Sequence, residues 1–293
     1  MRLYYHLDPK GNFGDDLNPW LWGRLLPDLL TGYCYHEPEL REPGTEDGDL
    51  FVGTGTLLNT AIPKIPRKAV MGTGAGYGPL PDVDDHWTFY CVRGPLTAHK
   101  LGLDSRVAVT DGAALCSRLL RREGSVKHAF GFMPHVDTAR NSYWRAVCEA
   151  AGVAYVDPGE SMADVIGALQ ACEVVLTEAM HGAIVCDALG IPWVAVTTNP
   201  MVLPFKWADW CASMELEYRP TSLPSLWLPF REAKWSKKGI KWAKFYLALS
   251  ALKRVCAKAK PTLSDRSVLD ARNDELLERI ERFKRDFAVG RYR

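Results

Sequence analysis

A histidine, His181, stands in "VLTEAMHGAIVCDALGIPW" at the join between an apolar run and a run of small residues. Imidazole, with an ordinary pKa of about 6.5, can donate or accept a proton near neutrality. The periodicity predicts a buried strand over 174–176, a helix over 182–189 and a further strand over 193–197. That places His181 at the carboxyl edge of a parallel sheet, where helix N-termini offer N–H groups and ligands collect. It acts there as an acid, a base or an anion ligand, or it caps the helix. Three other motifs carry charge to similar joins. Asp15 and Asp16, in "GNFGDDLNPW", follow a glycine loop and precede a helix, as capping carboxylates or as groups that hold a hydroxyl or take its proton. Arg93, in "CVRGPLTAHK", lies between a strand and a helix that starts at Pro95, either as an anion clamp or as half of an ion pair. Lys206, in "PFKWADW", offers a second cation.

The elements that must position these groups repeat one grammar. "RLYYH", "LFVG", "AVMG" and "WTFYCV" are short apolar runs that end in glycine-bearing joins, the pattern of parallel strands whose loops approach a ligand closely. After the polar run "RREGSVKH" a second series begins with "AFGFMP" and continues through "VAYV" and "EVVL". The expected fold is α/β, with two Rossmann-like domains facing a cleft in a GT-B-like arrangement. The first covers 1–122 and the second 123–225, followed by a basic and charged helical extension over 226–293. "GTGAGYG" superficially matches a dinucleotide fingerprint, but "PLPDVDDHW" follows where a helix is required, so a nicotinamide or flavin site is not expected. Gly74 instead belongs to a tight loop lining the cleft. The closing "DARNDELLERIERFKRDF" reads as a charged amphipathic helix on the surface, without site residues.

Composition narrows the class. The 293 residues are 47% hydrophobic and 24% charged, with a formal net charge of +1, which gives no global field for nucleic acid. Eight cysteines lack the paired short spacing of zinc sites and lie mostly in apolar runs, as buried thiols in a reducing compartment do. No metal is expected. "MRLYYHLDPKGNFGDD" does not read as a signal sequence, and no long uncharged apolar span is present, so the expected location is the cytoplasm. Charge is segregated near the C-terminus, where residues 231–260 carry ten Lys or Arg against one Glu, interleaved with Trp235, Trp242, Phe245 and Tyr246. This segment suits the inner face of a cell membrane. Alternatively, Ile240, Leu247, Ala251 and Val255 form the buried stripe of a helix packed on the domains.

In order along residues 1 to 215, "NFGDDL", "GTGTLL", "MGTGAGYG", "VRGPLTA", "TDGAAL", "TEAMHGAIVCDALGIPW" and "FKWADW" resemble the polysaccharide pyruvyltransferase family, most closely its succinoglycan-type exopolysaccharide branch. The resemblance implies transfer of pyruvate from phosphoenolpyruvate to two hydroxyls of one sugar, giving a cyclic ketal and phosphate. Arg93 and His181 fall on motif positions tied to donor binding and catalysis, and Asp15 on the N-terminal glycine-aspartate motif. Many members carry an arginine where this chain has Ala179, which leaves Lys206 or His135 to supply the donor contact, or implies a different donor. Gly74 and Gly182 complete the donor-binding candidates, Asp16 joins Asp15, and Asn12, Asn18 and Glu178 are the acceptor-binding candidates. No organic cofactor is implied. The expected partners are phosphoenolpyruvate and a sugar acceptor, lipid-linked, without nucleic acid. Two other functions fit the fold: a glycosyltransferase using a nucleotide sugar, and a non-catalytic carbohydrate-binding assembly factor.

Overall fold

Ten strands and ten α-helices follow one another in the computed structural model, which describes residues 1–41, 48–200, 202–227 and 238–292. The strands are β1 (Arg2–Tyr5), β2 (Gly32–Tyr35), β3 (Leu50–Val52), β4 (Lys68–Met71), β5 (Trp87–Cys91), β6 (His128–Met133), β7 (Ala154–Tyr155), β8 (Cys172–Thr177), β9 (Trp193–Thr197) and β10 (Thr221–Ser222). The helices are α1 (Phe13–Leu25), α2 (Pro95–Lys100), α3 (Cys116–Leu119), α4 (Val136–Asn141), α5 (Trp144–Ala151), α6 (Met162–Gln170), α7 (Met180–Ala188), α8 (Pro204–Ser213), α9 (Lys238–Lys258) and α10 (Arg266–Ala288).

The strands form two five-stranded parallel sheets, ordered β2-β1-β3-β4-β5 and β7-β6-β8-β9-β10. Counted within each sheet the order is the same, 2-1-3-4-5, a doubly wound order that reverses direction between its first and third strands. Parallel sheets covered on both faces need continuous apolar strands. Every residue of β3 and β4 is buried, including Lys68 at the start of β4. After β4 the chain reaches β5 without a helix, which accounts for the failed dinucleotide fingerprint.

The chain divides into two units, 1–119 with 203–218 and 264–293, and 120–202 with 219–263. This differs from three consecutive domains. The first boundary falls close to the expected one, but α8 and α10 belong to the first unit and α9 to the second. The physical reason lies in the apolar stripes of the last two helices. α10 buries Leu269, Leu276, Ile280 and Phe283 at helical spacing, and the Phe283 ring lies 5.2 Å from Phe51 and 5.6 Å from Tyr90. It is charged outside, as expected, and core inside. α9 buries Ala248 and Leu252 in the cluster built around Phe132, Trp144 and Leu176. Of the stripe read in the sequence, Ala251 and Val255 pack against this cluster, whereas Leu247 is 61% exposed. Trp235 and the rest of 228–237 lie outside the described residues.

All eight cysteines are free thiols, seven of them buried. Burial pushes Cys91, Cys116 and Cys148 up to about 12, so they stay protonated near neutrality. Among the described residues, no helix is long and apolar enough to cross a membrane.

Candidate active site

In the first unit, the loop after β1 runs into α1 through a dense polar network. Asn12 is the N-cap, accepting from the Gly14 N–H at 3.3 Å, and its own N–H donates to Asp16 at 3.2 Å. The Asn12 amide also donates to Asp15. Both aspartates stand in the first turn of the helix, where the aligned peptide dipoles favour negative charge. Burial, reinforced by the nearby Asp8 carboxylate, raises the pKa of Asp16 against the lowering effect of the Asn12 N–H. Asp16 thus holds its proton to a higher pH than an ordinary aspartate does.

Asn18 is a correction to the sequence reading. It is buried, and its amide donates to Thr54 O at 3.0 Å while its oxygen accepts from Thr54 N at 2.8 Å. The same amide donates to Asp15 O at 3.3 Å. Pro19, which follows, has no N–H for that carbonyl, so the Asn18 side chain stands in for the missing helix bond. Asn18 pins α1 to the loop after β3 and has no face turned to a sugar.

Of the two readings of Arg93, the structure shows the ion pair, formed in the interior and not on the surface. It is wholly buried and donates to Asp209 at 3.0 Å, to Thr56 at 2.9 Å and to the carbonyls of Gly55 and Ala75 at 3.2 and 2.8 Å. Asp209, on α8, accepts in addition from the Thr97 N–H and hydroxyl. Gly74 lies flat against this guanidinium: a Cβ there would come within 2.3 Å of its central carbon. Its N–H donates to Gly55 O, and its carbonyl accepts from Leu58 N. Arg93 and Gly74 therefore build the loops after β3 and β4. Lys206 is the cation nearer the surface. Its ammonium donates to the Tyr77 hydroxyl at 3.1 Å, and Tyr77 is 43% exposed.

In the second unit, β8 pairs with β6 so that Thr177 stands opposite Met133, which brings the two following loops side by side. α7 starts at Met180, two residues before the expected start, which makes His181 its second residue; the imidazole is partly buried. The next residue must be small. A Cβ on Gly182 would come within 2.5 Å of Met133 Sδ and 2.8 Å of Thr177 Oγ1, so this glycine lets α7 press onto the sheet. Glu178 is fully buried. One of its oxygens accepts from the Thr198 N–H and hydroxyl and the Asn199 N–H, and the other accepts from the His135 N–H at 3.1 Å. That carboxylate ties the loops after β6 and β9 to the one after β8, and is spent on backbone rather than on an acceptor. His135 caps α4, its Nδ1 accepting from the Asp137 N–H at 3.3 Å, and remains partly exposed. The structure thus gathers His135, Glu178 and His181 at one edge.

Sequence reasoning missed a second histidine–carboxylate pair. His6 Nδ1 meets Glu37 Oε1, and the other oxygen of Glu37 accepts from Leu7 N at 3.2 Å. Beside it, Tyr4 OH bonds His36 Nδ1 at 2.9 Å, and burial holds the His36 pKa below its ordinary value. The available signal was "YYH" and "YCYHE": each ends a strand in a histidine, but only the parallel register Tyr5↔Tyr35 sets them together.

Both polar clusters fall where the strand order reverses. The β1–α1 junction and the loop after β3 hold Asn12, Asp15, Asp16 and Thr54, and the loop after β6 and the β8–α7 junction hold His135, Glu178 and His181. In open α/β sheets this crevice is where ligands bind. Two doubly wound units, each with acid–base side chains at its switch point, define an α/β protein with groups for proton transfer at its ligand-binding edges. The comparisons refine that class. Residues 5–200 match the family model "Polysaccharide pyruvyl transferase", so the chain belongs to this family and is a polysaccharide pyruvyltransferase. It is also 41% identical over 228 residues to the "Succinoglycan biosynthesis protein ExoV" of Rhizobium meliloti (strain 1021), spanning 76% of this chain and 68% of that protein.

Proposed function

We propose that this enzyme transfers pyruvate from phosphoenolpyruvate to two hydroxyls of one sugar in an exopolysaccharide or its lipid-linked precursor. The observation that carries the reading is the placement of His181, a partly buried imidazole in the first turn of α7 at the β6/β8 switch point, inside the family-matched segment.

Phosphoenolpyruvate is electron-rich at its methylene carbon. His181 protonates that carbon, leaving a cation stabilised by the adjacent oxygen, and one sugar hydroxyl adds to it. Phosphate then leaves with the C–O electron pair, and the second hydroxyl closes the ketal. Of the two hydroxyl protons, one balances the proton taken up by the new methyl group and the other leaves with phosphate. Asp16, whose pKa is raised by burial, takes a proton from the attacking hydroxyl, with Asp15 and Asn12 holding the same loop. Lys206 and His135 supply charge and hydrogen bonds to the donor's anionic groups. Arg93 acts from behind, by fixing the loops on which donor contacts depend. The donor brings its own activation, so no organic cofactor is needed. The buried, protonated thiols suit a cytoplasmic enzyme.

The test is incubation of the purified enzyme with phosphoenolpyruvate and candidate sugar diols. Expected are release of inorganic phosphate and a product heavier by a pyruvate ketal. Nucleotide release from a sugar nucleotide, without phosphate from phosphoenolpyruvate, would replace this reading with glycosyl transfer.

A further inference from the structure

α9 is apolar on two sides, and among the described residues only one of them packs on the core. Its inner side places Ala248 and Leu252 in the core of the second unit, with Phe245, Leu249, Val255 and Cys256 partly buried against that core. On the outward arc Trp242, Tyr246 and Leu247 are 61, 59 and 61% exposed. The Trp242 and Tyr246 rings, one helical turn apart, stack at 6.0 Å with planes inclined by 24°. They form a continuous aromatic ledge.

Along α9 itself the charge has one sign. Between Lys238 and Lys258 the sequence has six Lys or Arg and no Asp or Glu. Lys241, Lys244, Lys253, Arg254 and Lys258 are all exposed. Lys253 lies seven residues after Tyr246, two turns along the same face. Trp and Tyr pair an apolar body with a polar tip, which suits them to the headgroup level of a bilayer. Lysine and arginine stems lie along apolar surface while their heads reach outward.

We infer that the outward face of α9 docks on a bilayer surface bearing anionic headgroups. Charge decides the occupant. A second copy of the chain would set its own six cations against these, whereas anionic lipid neutralises them and lets the three apolar side chains enter the interface. The helix is 21 residues long, about 30 Å, and held from behind by the core, so it lies in the membrane plane and does not span it. The inference stands on α9 alone and does not depend on the pyruvyl-transfer reading.

Flotation of the full chain with vesicles of phosphatidylcholine alone, or of phosphatidylcholine mixed with phosphatidylglycerol, tests it. The protein is expected to float with the mixed vesicles at low salt, to be released by salt, and to stay behind with phosphatidylcholine alone. Two triple variants, Trp242→Ser/Tyr246→Ser/Leu247→Ser and Lys244→Glu/Lys253→Glu/Arg254→Glu, should each lose at least about tenfold in binding. Their melting temperatures should match the parent, because these side chains are exposed. Failure of the parent to float at low salt overturns the inference, as does undiminished flotation of either variant. Self-association in the absence of lipid, abolished by the aromatic triple variant, overturns it in favour of a contact between copies.

Discussion

Arg93 and Asp209, 116 positions apart in the chain, form a 3.0 Å ion pair in which neither side chain exposes any surface. The pair ties β5 to α8, and through Gly55 and Ala75 it also holds the loops after β3 and β4. A buried pair is a weak source of net stability but costly to halve, since the partner left behind remains charged in a poor solvent for charge.

Arg93→Ala should therefore lower stability by about 3–5 kcal/mol, measured by denaturant unfolding. Arg93→Lys keeps the charge but not the fork, and should recover only part of the loss. Unchanged stability of Arg93→Lys, together with a raised donor KM, would return this arginine to direct donor binding.

His181→Gln should leave the melting temperature near the parent's while slowing turnover by about a hundredfold to ten-thousandfold, the usual worth of one general acid or base. Reaction in deuterium oxide should place deuterium in the methyl group of the ketal. Label without any loss of rate in the variant would keep the addition chemistry and move the proton to another residue.

Asp16 gives a pH dependence whose sign can be stated. Its folded pKa is raised, so between the ordinary carboxylate value of about 3.9 and that raised value the folded state holds a proton that the unfolded chain has lost. Stability contributed by this group is complete below the ordinary value and is lost as pH rises through the folded one. Asp16→Asn should accordingly unfold at a higher temperature than the parent at neutral pH, with the gap closing as pH falls through this window. Its turnover should fall in the same samples. A gap independent of pH would show that Asp16 titrates normally.

Glu178→Gln replaces one acceptor oxygen by an NH2 group, which then faces an N–H of His135, Thr198 or Asn199. The buried mismatch should cost about 1–3 kcal/mol. Loss of the tie should also raise amide hydrogen exchange in the loops after β6 and β9 ahead of the rest of the second unit. Equal exchange everywhere would mean that Glu178 does not hold those loops.

The repeated α/β grammar was legible because buried parallel strands are short, apolar and punctuated by glycine whatever their partners. His181 and the Asp15–Asp16 loop were legible for the same reason, since strand-to-helix joins can be found by periodicity. The partners of Arg93, Asn18 and Glu178 were not legible, because a polar residue at such a join looks the same whether it faces solvent or bonds a neighbouring loop. The partners that decide the matter, Asp209, Thr54 and Thr198, are distant in sequence or unremarkable locally. The pairing of His6 with Glu37 needed the β1–β2 register, and the exposure of Leu247 on α9 needed the core that helix packs against.

The return of α10 to the first unit bears on how the chain is made. Phe51 and Tyr90 emerge from the ribosome long before Phe283, the ring that covers them. At ordinary elongation rates of about 5–20 residues per second, the first sheet waits on the order of ten seconds or more for its last helix. A stop codon or protease cut near residue 260 would leave that apolar face permanently uncovered. The nascent protein should therefore be a chaperone client, and its yield should be unusually sensitive to truncations at the C-terminus.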